Sequence, residues 1–201
     1  MGLIESGMSN VETAEFMRNT YYTSNEKTAL AITIANRERA LLADIDYKNG
    51  YSLYVGIPFC PSICLYCSFS SYPLAKWRDK VDAYLDALCK ELTYIGETMK
   101  VRTLDTIYIG GGTPTTLEPE QLERLLSHIE CCFPTREVKE YTIEAGRPDS
   151  ITREKLEVIR KYPVTRISVN PQTMNQATLD LIGRRHTVED TRHAFALARE
   201  C

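Results

Sequence analysis

Three cysteines with metal-ligand spacing follow a short apolar run in the first third of the chain. Cys60, Cys64 and Cys67 lie within residues 54–67, YVGIPFCPSICLYC, and have the spacing C-x3-C-x2-C. Because residues 1–10 lack the basic and apolar regions of a secretory signal, we expect thiolates this close together to be metal ligands before they are disulfide partners. A closed zinc site needs four ligands, whereas a four-iron four-sulfur cluster held by three cysteines leaves one iron open to a small molecule. The trio predicts an iron–sulfur centre, and a zinc-binding scaffold is the alternative.

A run of three glycines at residues 110–112 is the second candidate feature, and it is followed by Thr113 and Pro114. The run either forms a tight turn between a strand and a helix or offers bare backbone that the polar groups of a ligand can approach. It lacks the G-x-G-x-x-G spacing, so a dinucleotide site is not supported. We therefore expect a small-molecule ligand to lie against these glycines.

Three polar residues farther along the chain are weaker candidates. Glu144 ends an apolar run and is either a surface carboxylate or a partner for an ammonium group near the cysteines. Gln172 and Arg184 lie in a loop and at a helix end, where polar side chains are usually only solvated.

Composition limits the class of protein. The chain has 201 residues, 43% of them hydrophobic and 25% charged, with a net charge of −3, which is typical of a globular chain. We expect no nucleic-acid partner because no basic footprint is present, and no membrane span because no long uncharged apolar window occurs. Seven cysteines, an odd number, favour a reducing compartment, so a cytoplasmic location is expected.

Apolar runs and helical spacing alternate through the last three quarters of the chain. Strands are predicted at 52–57, 106–109, 141–144 and 166–169, and helices at 79–97, from 119, after Thr152, at 175–183 and at 188–199. This alternation predicts a parallel sheet, either a β/α barrel or an open doubly wound sheet. The cysteines, the glycine run, Glu144 and Gln172 lie at or just after the ends of the predicted strands. This position favours the barrel, because barrel active sites are built from the loops that follow the strands.

Two regions are expected. Residues 1–50 are predicted to form a helical extension, in which a helix at 25–44 carries a broken apolar stripe (Leu30, Ile34, Leu41 and Leu42). Residues 51–201 are predicted to form about four βα units. Four strands are too few to close a barrel, so we expect this chain to be a piece of a longer protein or to need a partner.

The motifs together resemble those of a known family. C-x3-C-x2-C after one strand and Gly-Gly-Gly-Thr-Pro after the next resemble the signature of radical S-adenosylmethionine enzymes. The segments 54–67, 110–115, 142–145 and 166–169 are similar to the oxygen-independent coproporphyrinogen III oxidase family. Residues 144–149 and 170–175 resemble its HemZ-type coproporphyrinogen dehydrogenase branch. The likeness extends over nearly all of residues 12–201.

The resemblance implies an α/β fold, a partial (β/α) TIM-type barrel that is incomplete at the C-terminus, with a 4Fe-4S cluster and S-adenosyl-L-methionine as cofactors. Cys60, Cys64 and Cys67 would hold the cluster, whose open iron would bind the amino and carboxylate groups of S-adenosylmethionine. Two further sets of positions match the family: Tyr54, Gly111 and Glu144 around this molecule, and Tyr66, Gly112, Thr113, Gln172 and Arg184 around a second one. No catalytic residue is assigned.

The implied activity is oxidative decarboxylation of coproporphyrinogen III propionates to vinyl groups through a 5′-deoxyadenosyl radical. The implied partners are a tetrapyrrole substrate and an electron donor such as a flavodoxin or ferredoxin. Because the barrel is expected to be incomplete, the isolated chain is expected not to turn over porphyrinogen. A haem-binding chaperone of the same family is the alternative. Phe69 and Gly56 stand where the best-studied oxidase branch has cysteine and histidine, and the chaperone branch also lacks that cysteine.

Overall fold

The computed structural model describes residues 1–46 and 48–201, which form two compact units, Met1–Tyr47 and Lys48–Cys201. Tyr47 falls in the region predicted as a helical extension and lies outside the described residues. Across the described residues, no helix combines the length and the apolar character that crossing a membrane requires.

The first unit is helical, with α1 (Gly2–Glu5), α2 (Asn10–Tyr21) and α3 (Asn25–Leu42). Serines start the two longer helices, because the hydroxyl of Ser9 accepts from the Glu12 amide and that of Ser24 from the Lys27 amide. The apolar stripe predicted on α3 is exposed, and the buried positions of this helix are Thr28 and Ala35. Small side chains, rather than the leucines, therefore form the close contacts of α3.

The second unit alternates strands and helices, as predicted. Its strands are β1 (Tyr51–Ile57), β2 (Phe59–Cys60), β3 (Tyr72–Pro73), β4 (Leu104–Gly111), β5 (Glu140–Ala145) and β6 (Arg166–Val169). Its helices are α4 (Leu74–Trp77), α5 (Val81–Met99), α6 (Pro119–Cys132), α7 (Arg153–Arg160), α8 (Gln176–Leu181) and α9 (Val188–Glu200). The four predicted strands are present, and the short elements β2, β3 and α4 were not predicted.

One boundary differs in a way that matters for the site. The second predicted strand, 106–109, runs from Leu104 to Gly111, so Gly110 and Gly111 end the strand rather than follow it. They pair in register with Gly56 and Ile57 of β1. The backbone pairing of the sheet thus continues into the glycine run.

The predicted helix starts are confirmed by their caps. Pro119 occupies the first turn of α6, where its missing N–H costs no hydrogen bond. The hydroxyl of Thr152 accepts from the Lys155 amide at the start of α7. Thr187 and Asp190 form a reciprocal capping box at the start of α9.

Strand order distinguishes the two sheet architectures. The main sheet has the order β1-β4-β5-β6, and every pair is parallel. Each crossover therefore moves one strand in the same direction, and right-handed crossovers then place all their helices on one face. A doubly wound sheet would reverse its order and carry helices on both faces. The arrangement is that of a barrel wall.

Alternation along the strands gives the sheet two different faces. Leu53, Val55 and Ile57 of β1 are buried and join the core formed with α5, α6 and α7. The opposite face carries Tyr54 and Tyr108, whose rings stack with centroids 5.8 Å apart. Helices thus cover one face, and the other face presents aromatic and polar side chains.

Candidate functional site

The three predicted ligands lie on β2 and the loop that follows it. Cys60 ends β2, and Cys64 and Cys67 are joined by a turn in which the Cys67 amide donates to the Cys64 carbonyl at 3.0 Å. The loop is fastened to the turn after α8, because the Leu65 amide donates to the Ile182 carbonyl at 3.0 Å. Cys60 and Cys64 are buried and Cys67 is half-buried.

The ends of all four main strands meet at one cleft of about 140 Å³. It is lined by three groups of residues: Cys60, Ser62, Cys64, Tyr66, Cys67, Phe69 and Ser71 after β1; Gly111 at the end of β4 with Gly112 and Thr113 after it; and Glu144, Gly146, Arg147, Asn170, Gln172 and Arg184 from β5 onward. Ten of the eleven residues predicted from the sequence are among these, and Tyr54 is the exception.

The donor set of the cleft fits a cluster with an open iron. Three thiols face one cavity, and cysteine thiolates are the usual protein ligands of iron–sulfur clusters. Among residues 1–46 and 48–201, no three His, Cys, Asp or Glu side chains are grouped closely enough to hold a single metal ion. Three cysteines match a cluster with one open iron, whereas a closed zinc site needs a fourth ligand.

Cys60 connects the cysteine loop with the glycine loop. Its Sγ lies 3.3 Å from Oγ1 of Thr113, which is itself buried. Burial raises the pKa of the Cys60 thiol, and the Thr113 hydrogen bond and the positive charge of Arg147 act in the opposite direction. A metal that binds here would displace the thiol proton.

The glycines are required by the neighbouring backbone. Gly111 has a φ of +106°, and a Cβ there would lie 2.9 Å from backbone atoms of Ile57. A Cβ on Gly112 would lie 2.7 Å from the Phe59 carbonyl oxygen, and the Gly112 amide donates to the Ile57 carbonyl at 2.7 Å. The close approach of the backbone at residues 57–59 therefore requires glycine at both positions, and both residues also line the cleft.

Tyr54 reaches the site indirectly. It lines a neighbouring cleft with Phe69 and Gly111 and stacks on Tyr108, whose hydroxyl donates to Glu144. Burial, then the hydrogen bond to Glu144 and the charge of Glu144, together raise the pKa of Tyr108 to about 12. Burial, followed by the charge of Glu144, also raises the pKa of Tyr54. Glu144 is thus half-buried and held by a side-chain partner rather than a free surface carboxylate.

Arg184 and Gln172 lie on the side of the cleft formed by the last strand. Arg184 is 7% exposed and donates from Nη1 to the Gly146 carbonyl at 2.9 Å. Its Nε has no hydrogen-bond partner among the described residues. Gln172 adopts a φ of +63°, which is uncommon for a residue with a side chain. Burial raises the pKa of Tyr66 in the cysteine loop, and the nearby Arg184 opposes that shift.

Sequence reasoning did not assign three residues that the structure places in or beside the cleft. Tyr108 orients Glu144, Arg147 contacts the cysteine loop, and His186 is fully buried near both arginines. Burial lowers the pKa of His186, and the positive charge of Arg184 adds to that effect. A tyrosine in a strand and an arginine in a loop give no signal of their own in a single sequence.

Comparison with known proteins agrees with this geometry. The profile of the Radical SAM superfamily matches residues 54–201. The oxygen-independent coproporphyrinogen-III oxidase-like protein HemZ of Bacillus subtilis is 40% identical over 98% of this chain, and the match covers 40% of that protein. The haem chaperone HemW of the same organism is 39% identical over 74% of this chain and 39% of its own length.

A solved structure agrees with the barrel architecture. The coproporphyrinogen III oxidase HemN of Escherichia coli, described as a radical SAM enzyme, superposes with a TM-score of 0.67 at 29% identity. The match covers 81% of this chain and 37% of HemN, so the predicted TIM-type α/β fold is confirmed for the part compared. The chain spans 40% or less of the length of each of these three relatives. It belongs to the radical SAM superfamily, and it is similar to HemZ, HemW and HemN over the parts compared.

Proposed function

We propose that Cys60, Cys64 and Cys67 hold a 4Fe-4S cluster and that the cleft beside them binds S-adenosylmethionine. The observation that carries this proposal is the meeting of three thiols, a glycine-lined wall, a carboxylate and a buried arginine at the carboxyl ends of four parallel strands. Radical SAM proteins as a family use this pair of cofactors, and membership of that family supports the assignment.

The side chains divide the binding task. Glu144, oriented by Tyr108, offers a carboxylate oxygen to the ammonium group of the ligand. Arg184 offers its unpartnered Nε to an anionic group. Gly111 and Gly112 expose their backbone in the wall of the cleft, and the Thr113 hydroxyl lies within hydrogen-bond distance of the Cys60 sulfur. Tyr54, Tyr66 and Gln172 complete the proposed set around one or two S-adenosylmethionine molecules.

The bound cofactors would supply a radical that removes a hydrogen atom from the substrate. The contribution of the protein is to hold the ligand in one orientation and to limit the access of water to the cleft. The half-buried Glu144 and the buried Arg184 suit this role because an ion pair with a ligand is stronger where water is scarce.

We infer that the substrate is a reduced tetrapyrrole and that the reaction is oxidative decarboxylation of coproporphyrinogen III, with the electron supplied by a flavodoxin or a ferredoxin in the cytoplasm. The similarity to the HemZ-type protein covers nearly the whole chain, including the helical first unit, and this supports the oxidase reading. The similarity to the chaperone HemW covers 74% of this chain.

The experiment is anaerobic incubation of the reconstituted chain with S-adenosylmethionine and dithionite. We expect formation of methionine and 5′-deoxyadenosine, and we expect Glu144→Ala to reduce their rate of formation. Absence of both products from a chain that contains iron and sulfide would contradict the proposed use of S-adenosylmethionine.

Haem binding is the second candidate function, favoured by the 39% identity with the chaperone and by Phe69 in place of a further cysteine. Titration with haem, followed by absorbance, tests it directly. Stoichiometric, stable binding of haem would favour the chaperone. Absence of stable haem binding would favour the oxidase.

A further inference from the structure

Arg147 is a buried cation that the proposed function does not use. It follows β5 in the loop that enters the cleft and is 2% exposed. Burying a guanidinium group is costly unless its charge is paired and its N–H groups are hydrogen-bonded. The direction of each of its donors therefore indicates what the residue does.

One edge of the guanidinium is fixed by Asp149. Nε and Nη2 donate to the two carboxylate oxygens, each at 3.0 Å, in a bidentate pair. Burial works against the charge of both groups, but each partner outweighs it, so the pKa of Asp149 is lowered and that of Arg147 is raised. Arg147 is therefore charged and held in one orientation.

The other edge faces the cysteine loop. Nη1 donates to Oγ of Ser62 at 3.1 Å and to Sγ of Cys64 at 3.8 Å. The Ser62 hydroxyl in turn donates to the Gly183 carbonyl at 3.2 Å, so the serine is itself fixed. Arg147 thus contacts one of the three proposed ligands and a serine of the same loop.

We propose that Arg147 is a positioning residue for the Cys64 ligand and a fixed positive charge that raises the reduction potential of the cluster. The inference rests on the proposed function, because it requires a cluster on the three cysteines. Hydrogen bonds to ligand sulfurs and nearby charge are established controls of cluster potential. A cation beside the thiolates favours the reduced state because reduction adds one negative charge.

The test is a potentiometric titration of the anaerobically reconstituted chain with dithionite, followed by electron paramagnetic resonance. Each cluster takes up one electron from dithionite, which is oxidised to sulfite, and no iron–sulfur bond is formed or broken. We expect Arg147→Gln to retain iron and sulfide but to have a more negative potential than the unmodified chain. Arg147→Lys keeps the charge and should shift the potential less.

Two further variants allow the test to be made even if Arg147→Gln does not fold. Asp149→Asn removes the counter-charge and leaves the guanidinium, so its potential should be more positive than that of the unmodified chain. Arg124→Gln is the matched control, because Arg124 forms an exposed ion pair with Asp86 on the helical side of the sheet, and its potential should not change. Thermal unfolding of each apo variant reports on folding separately.

The outcomes separate this inference from the proposed function. A full cluster with the same potential in the unmodified chain, Arg147→Gln and Asp149→Asn would overturn the role of Arg147. Should Arg147→Gln fail to fold, an unchanged or more negative potential in Asp149→Asn would overturn it as well. Absence of iron from the unmodified chain would instead overturn the proposed cluster itself.

Discussion

The hydroxyl of Tyr108 donates to Glu144, and that contact gives the carboxylate a fixed direction toward the cleft. Hydrogen bonds to charged groups contribute about 1.5–3 kcal/mol. We expect Tyr108→Phe to weaken S-adenosylmethionine binding about tenfold because the carboxylate loses its orientation before the ligand arrives. Isothermal titration calorimetry of the reconstituted chain measures the change.

A second tyrosine–glutamate hydrogen bond, far from the cleft, provides the control for Tyr108→Phe. Tyr162 donates to Glu123 at 2.7 Å, and its pKa is also raised to about 12, first by burial and then by that hydrogen bond. Tyr162→Phe removes a similar bond far from the cleft and should leave the affinity unchanged. Equal affinities in both variants would show that Tyr108 does not position Glu144 for the ligand.

The Tyr108 pair also predicts a pH dependence of stability. The pKa of Tyr108 is about 12 in the folded chain, above the ordinary 10.0, mainly because burial disfavours the phenolate. A group with a raised pKa contributes stability that is complete below its unfolded pKa and is lost as the pH rises through its folded pKa. The stability difference between the unmodified chain and Tyr108→Phe should be constant below pH 10 and should decrease between pH 10 and about 12. Urea denaturation across this range measures it, and a difference that grows with pH would contradict the assignment.

Spacing alone could predict the cysteines as ligands, since Cys60, Cys64 and Cys67 lie within eight residues of each other. It could not predict Tyr108 or Arg147, because their partners Glu144 and Cys64 lie far away along the chain and meet them only in the folded sheet. For the same reason, the sequence leaves Glu144 open between a surface carboxylate and a site residue.

At the end of β4, Gly111 both pairs with β1 in the sheet and lines the cleft. Gly111 combines a φ of +106° with a Cβ position 2.9 Å from the backbone of Ile57. Strain of this kind costs on the order of 1–3 kcal/mol. We expect Gly111→Ala to lower the free energy of unfolding by about that amount, as measured by urea denaturation of the apo chain.

Gly56 on β1 is the matched control. A Cβ there would meet only a ring carbon of Tyr54 at 3.5 Å, an ordinary contact. Gly56→Ala should therefore change the free energy of unfolding by less than about 0.5 kcal/mol. If both variants were equally stable, the close approach of β4 to β1 would not be what requires glycine at position 111.

A lysine on α7 fastens the turns that follow β4 and β5. Lys155 is buried, and its Nζ donates to the carbonyls of Thr115 at 2.7 Å and Ser150 at 3.2 Å. Lys155→Met leaves two buried acceptors without this donor and should cost about 2 kcal/mol of stability. Lys161→Met removes an exposed ion pair with Glu123 and should cost less than about 1 kcal/mol. A smaller loss in Lys155→Met than in Lys161→Met would show that the buried lysine does not fasten these turns.

The strands and helices could be predicted because their apolar spacing is regular and their starts carry Pro119, Thr152 and Thr187. The two-residue strands β2 and β3 have no periodicity to detect, so they were not predicted. Glycine is depleted in strands, and the prediction therefore ends the second strand before Gly110, although pairing with Gly56 continues there.

At the scale of the whole molecule, the two faces of the sheet explain where the chemistry is placed. Helices cover one face, and the strand ends gather the loops that carry the cysteines, Glu144 and Arg184 at one cleft. The sequential strand order selects the barrel over the doubly wound sheet, and it depends on pairing between segments far apart along the chain. The sequence itself favours a barrel for one reason only, which is that the candidate site residues lie at or after the ends of the predicted strands.

Metal analysis shows whether Cys60, Cys64 and Cys67 hold an iron–sulfur cluster. The chain is purified and reconstituted without oxygen, and iron, sulfide and zinc per chain are measured beside Cys64→Ala and Cys132→Ala. We expect about four irons and four sulfides in the unmodified chain and in Cys132→Ala, and loss of the cluster in Cys64→Ala. Zinc in place of iron, or equal iron in Cys64→Ala and Cys132→Ala, would contradict the proposed cluster.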